Sequence, residues 1–194
     1  MPRPPKTPLL RRDMSQRGQS LVEFALSSVV LLLLVGGLVD IGRAVYVNET
    51  LSNAAREGAR HGAWFDAPND AHPWLYDTEI KSVVDTELAT IGIPGSVLKN
   101  ATGTTCPAPS DSNTVHNPPY VSSAYPTTAN QPWLYICYNN TPGLDFPLLP
   151  ATNQGQLDLN VILLYAYGPL TPLVTAQFGI FRIATNVHMT VQGS

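Results

Sequence analysis

From Leu21 to Val39 the chain is apolar for nineteen residues, interrupted by a single ionisable side chain, Glu23. About 20 helical residues at 1.5 Å each cross a hydrocarbon layer of ~30 Å, so this run predicts one transmembrane helix. No second run has that length. Val161 to Tyr167 is apolar over only seven residues, which suits a strand. Beyond Val39 the helical period continues. Apolar or small residues recur at Ile41, Ala44, Val45, Leu51, Ala54, Ala55, Gly58, Ala59 and Gly62, three and four apart, and so form one broad face. Asn48, Glu49, Asn53, Arg56, Glu57 and Arg60 take the other positions. A helix over Gln19 to Ala63 would be about 65 Å long, a stalk twice the membrane thickness.

The far end of that face is small, with Ala54, Gly58 and Gly62 stacked four apart. Small side chains let a second backbone approach closely, either the chain's own sheet, the more ordinary case, or a partner helix. A polar connection, FDAPNDAHPW, leads to a helix predicted over Asp77 to Ile91 and stopped by Gly92 and Pro94. Gly95 to Gln131 reads mostly as loop, an ordered decoration or a flexible tip, with Val97 and Leu98 as a short strand. Trp133 to Tyr138, Gln156 to Tyr167 and Phe181 to Val191 read as strands. Leu157, Leu159 and Val161 alternate with Asp158 and Asn160, and Ile183, Val187, Met189 and Val191 follow the same period, so one face should be buried. The connections PGLDFPLLP and GPLTPLVTAQFG suit loops rather than helical crossovers, which makes the sheet antiparallel. The expected fold is α+β: a long amino-terminal transmembrane helix, a second helix and a small antiparallel sheet whose apolar face needs a helical cover.

Charge adds a direction. The first eighteen residues carry Arg3, Lys6, Arg11, Arg12 and Arg17 against Asp13 alone, although the whole chain has a net charge of -3. A basic head before an apolar run and an acidic body predict a cytoplasmic amino terminus and an extracytoplasmic body. No basic patch is left for nucleic acid. Charged residues are only 13% of the 194, with 18 prolines, which fits a looped body on a chain that leaves water. A secretory signal peptide begins in the same way, but this apolar run is longer and no A-x-A site follows it. Arg11 and Arg12 match a twin-arginine signal poorly, because Asp13 and Met14 come next.

Glu23 has two readings. It lies near the cytoplasmic end of the run, where headgroups solvate an acid cheaply, whereas at mid-membrane an ionised acid costs about 2.5 to 3.5 kcal/mol and marks function. Its surroundings favour function. Cutting after Gly18 would make Gln19 the first residue and Glu23 the fifth, beside the apolar run. Glycine offers a protease no side chain, and its poor helix propensity keeps the bond accessible. This arrangement resembles the type IV prepilin processing site. There, the resemblance implies, a membrane peptidase removes the leader and the glutamate meets the new amino terminus of a neighbouring subunit. Such pairing offsets desolvation that either charge would suffer alone in lipid.

GQSLVEFAL, a span, and then DIGRAVYVNETLSNAAREGARHGA are similar to the amino-terminal region of the TadE-like family, pilus-assembly pseudopilins of the tight-adherence system. The resemblance covers about residues 17 to 63. It implies a non-enzymatic, pilin-like subunit, processed by a prepilin peptidase, that works with the major pilin, other pilin-like subunits and an inner-membrane assembly platform. By position it makes Gly18 and Gln19 the cleavage site and Glu23 the subunit-interaction acid. The expected organisation is a leader over 1–18, a transmembrane and stalk helix over 19–63, and an extracytoplasmic domain over 64–194 with a long loop at about 95–131. An uncleaved single-span anchor that presents an adhesive or binding domain is the alternative.

Other candidate chemistry in the chain is sparse. Cys106 and Cys137 both fall in the external body, where a disulfide is allowed but not required by their spacing. His61, Asp66, Asp70 and His72 lie close in sequence on a polar connector and read as solvated side chains rather than metal ligands. No motif for a cofactor, a metal or an enzyme active site is present. Tyr120, Tyr125, Trp133, Tyr135 and Tyr138 are either core or an adhesive surface, and aromatics beside strands are more often core.

Overall fold

The computed structural model describes residues 14–64, 66, 73–100, 105–113, 117–139, 141–142 and 157–191. In chain order the elements are α1 (Met14–Gly62), α2 (Asp77–Ala89), β1 (Val97–Leu98), β2 (Pro132–Tyr138), β3 (Thr141–Pro142), β4 (Asp158–Tyr167), α3 (Pro172–Phe178) and β5 (Phe181–Thr190). The chain divides into two compact units, Met1–Val39 and Asp40–Ser194, and α1 contributes to both. The leader before Met14 and the connection PGLDFPLLP past Pro142 lie outside the described residues.

The fold is α+β, as the periodicity predicts. α1 begins at Met14, five residues before the expected start, and Gly18 lies inside it. One glycine costs only about 1 kcal/mol in a helix interior, and no proline lies between Met14 and Gly62. α2 follows the expected spacing: Ile80, Val84 and Leu88 are fully buried. It ends where Gly92 takes a φ of 71°, a conformation that favours glycine.

The strand order is β1-β2-β4-β5, with β3 paired to β2 off that path. β2 with β4 and β4 with β5 are antiparallel, the latter in register from Asp158 opposite Thr190 to Tyr167 opposite Phe181. β1 is the departure. Val97 and Leu98 run parallel to Trp133 and Leu134, so the sheet is mixed. The long connection from β1 back to β2 permits this, since parallel pairing needs a crossover of a dozen or more residues. Asn100 extends the pairing with its side chain: Oδ1 accepts from the Ile136 amide at 2.9 Å and Nδ2 donates to the Ile136 carbonyl at 2.8 Å.

Burial of a single sheet face, the sequence-based expectation, is wrong for the central strands. One face, with Leu134, Ile136, Leu159, Val161 and Leu163, packs with Leu51, Ala55 and Ile80 of α1 and α2. The other, with Tyr135, Cys137, Ile162 and Leu164, is covered by Cys106, Tyr120, Ala124 and Tyr125 from the segment read as decoration. That cover is tied down by a Cys106–Cys137 disulfide. Tyr135 Oη donates to the Ala124 carbonyl at 3.0 Å, and Arg182 Nη1 donates to Ser122 Oγ at 2.8 Å. Asn117 Oδ1 meets His188 Nε2 at 2.9 Å and Asn186 Nδ2 at 2.5 Å on β5.

Candidate functional site

In the unit Met1–Val39 the residues singled out by sequence share one exposed stretch of α1. Gly18 is exposed, and a Cβ built on it would meet nothing within 4 Å. One helical turn separates Gln19 from Glu23, and Gln19 Nε2 donates to Glu23 Oε1 at 3.0 Å. The backbone nitrogen of Gln19 therefore belongs to a residue whose side chain already reaches the carboxylate. From Leu21 to Val39 the large apolar side chains, among them Leu26, Leu31, Leu34 and Leu38, are exposed. An apolar surface of this extent is not compatible with water on all sides. The helix is long and apolar enough to cross a membrane.

In the unit Asp40–Ser194 the remainder of α1 turns apolar side chains inward. Val47, Leu51, Ala54, Ala55 and Ala59 are buried, whereas Ile41 and Val45, which the sequence pattern assigns to the same face, are exposed. The small stripe is filled from within the chain. A Cβ on Gly58 would stand 2.6 Å from Val84 Cγ2, and one on Gly62 would stand 2.6 Å from Ile80 Cδ1 and 2.9 Å from Leu159 Cδ2. Glycine at these two positions is what lets α2 and β4 approach α1.

Asp40, at the head of this unit, is a site residue that sequence reasoning missed. It is 3% exposed. Its carboxylate accepts from the Leu170 amide at 2.8 Å and the Thr171 amide at 3.0 Å, and its carbonyl accepts from Tyr167 Oη at 3.1 Å. The side chain of Thr171 is the largest influence on its carboxyl and holds it below the ordinary carboxylate value. Burial opposes that shift, and the two amides and the charge of Arg43 add to it. Arg43 also stands 5.5 Å over the Tyr167 ring. The signal available in the sequence was an acid placed immediately after a span, where no partner was evident.

The remaining candidates are ordinary. The His61 ring lies 5.9 Å from that of Trp74, while Asp70 and His72 fall outside the described residues. Among the described residues no group of three or more His, Cys, Asp or Glu side chains could hold a metal. Tyr120, Tyr125, Tyr135 and Tyr138 are buried in the two cores, and burial pushes the Tyr120 hydroxyl up, with the nearby Tyr125 adding to the shift. Trp133 is partly buried and carries Lys99 Nζ 3.9 Å over its ring.

No curated protein and no solved structure matches the chain significantly. A family model does: residues 18–60, which contain Gly18, Gln19, Glu23, the apolar run, Asp40 and most of the small stripe, match the family described as TadE-like protein, so over that helix the chain is similar to the TadE-like family.

Proposed function

We propose that the chain is a pilin-like subunit of a tight-adherence type pilus-assembly system, anchored in the cytoplasmic membrane by its amino-terminal helix. The observation that carries this reading is the Gln19 to Glu23 geometry beside an exposed apolar helix that matches the TadE-like family. A prepilin peptidase cuts between Gly18 and Gln19. The cut turns the Gln19 amide nitrogen into an ammonium one turn from Glu23, and lipid penalises either charge alone. Neighbouring subunits, the major pilin among them, supply the opposite charge, so the acid favours assembly over isolation. The basic leader stays in the cytoplasm and residues 64–194 fold outside. The family is a structural one, and the chain has no part in chemical catalysis.

Amino-terminal sequencing and intact mass of protein taken from its native membrane test the cut directly, and the expected mature chain begins at Gln19. Recovery of only the uncut form, with its arginines in place, would leave an uncleaved anchor and sink the processing step. Glu23→Ala then tests the pairing. Membrane insertion is expected to stay intact while assembly falls at least about tenfold, which corresponds to ~1.4 kcal/mol of lost pairing.

A further inference from the structure

The segment between β4 and β5 is apolar and open. Leu170 is 64% exposed, Phe178 68%, Ile180 46% and Phe181 41%. From Gly168 to Phe181 there is no charged residue, and Arg182 follows. Exposed apolar side chains in such a cluster mark a surface that meets something other than water. The attachment of this segment identifies it. Leu170 and Thr171, which begin this segment, donate their amides to the carboxylate of Asp40, and Tyr167, just before it, donates to the Asp40 carbonyl. Asp40 directly follows Val39, the last residue of the apolar run.

We infer that Leu170 to Phe181, including α3, is a second membrane contact that lies in the headgroup and acyl boundary of the outer leaflet. Asp40 holds the segment at the level where the span leaves the lipid. A short element with apolar side chains and no charge gains stability there through buried apolar area. The inference rests on α1 spanning the membrane, and its test separates the two ideas.

The two native cysteines are joined, so an added thiol is the only reactive one. Phe178→Cys, Val30→Cys in the span and Thr86→Cys on the exposed side of α2 are spin-labelled in the full chain. The proteins are reconstituted in vesicles of phosphatidylethanolamine and phosphatidylglycerol. Collision with oxygen and with a water-soluble nickel chelate then reports depth. The Phe178 label is expected about 5–10 Å into the boundary, with Val30 deeper and Thr86 in water. Adding Leu170→Glu and Ile180→Glu should move the Phe178 label into water and leave Val30 unchanged, with the disulfide still formed. A Phe178 label as wet as Thr86 beside a buried Val30 would overturn the inference and spare the span. Shielding that disappears on dilution of protein in lipid would assign the surface to a second copy and overturn it equally. A wet Val30 would defeat the membrane reading and this inference with it.

Discussion

The two faces of the central sheet are built from the same strands but covered by different means. Over Leu159, Val161 and Leu163 lie regular helices, whose glycines at 58 and 62 permit close approach. Over Ile162 and Leu164 lies a segment whose only regular piece among the described residues is one turn of 3-10 helix, Ser122–Ala124. Helices bring their own hydrogen bonds, so the first cover needs only apolar contact. The second must find partners for its backbone and resist its own chain entropy: the Ser110 and Val121 amides bond the Pro119 and Ala108 carbonyls, Tyr135 Oη bonds the Ala124 carbonyl, and the disulfide and the contacts of Asn117 with β5 tie the segment down.

That contrast can be broken most strongly at the cysteines. Reduction, or Cys106→Ala with Cys137→Ala, should cost about 3 to 4 kcal/mol for a loop of 31 residues, read as a fall in the denaturant midpoint. Hydrogen exchange should show the loss of protection first at Ser110 and Val121, whose amides bond Pro119 and Ala108, and later in α2. Simultaneous loss would mean that the two covers form one cooperative unit. Leu163→Ala and Leu164→Ala are both fully buried neighbours on opposite faces, which makes them a direct comparison. We expect about 4 kcal/mol for the first and about 2 for the second in chemical unfolding, because an irregular cover collapses into a cavity more readily than packed helices do. Equal costs would erase the distinction.

The smallest effect is at Asp40. Its folded carboxyl lies below the ordinary value of 3.8, so it stabilises the domain above that value, and the contribution is lost as pH falls through the folded value. Asp40→Asn should therefore flatten the decline of Tm as pH falls below the ordinary value of 3.8, and an unchanged decline there would remove Asp40 from the account.

Legibility in the sequence follows the same division. α2 and the three long strands lie close to where period and turn residues put them, because Ile80, Val84 and Leu88 face one core at helical spacing. Asp158 and the apparent alternation after Leu157 suggested one wet face. The uninterrupted run Val161 to Tyr167 was the contrary signal, since strands buried on both faces lose their alternation. The second cover itself had no periodicity to read: Asn100 finds Ile136, and Cys106 finds Cys137, only through pairings 36 and 31 residues apart. For the candidate site, Gly18, Gln19 and Glu23 stand out in the sequence by local spacing alone, and the one-turn separation that lets Gln19 reach Glu23 follows from it. Asp40 does not, because its partners Leu170 and Thr171 are 130 and 131 residues away.

The glycine stripe of α1 has a further implication for how copies of this chain can gather. Ile80 and Val84 already occupy the groove over Gly58 and Gly62. A neighbouring helix cannot enter there without evicting α2, so the glycine stripe itself is closed to a second helix. The apolar side chains that remain exposed on α1 lie elsewhere, along Leu21 to Val39 and at Ile41, Val45 and Tyr46.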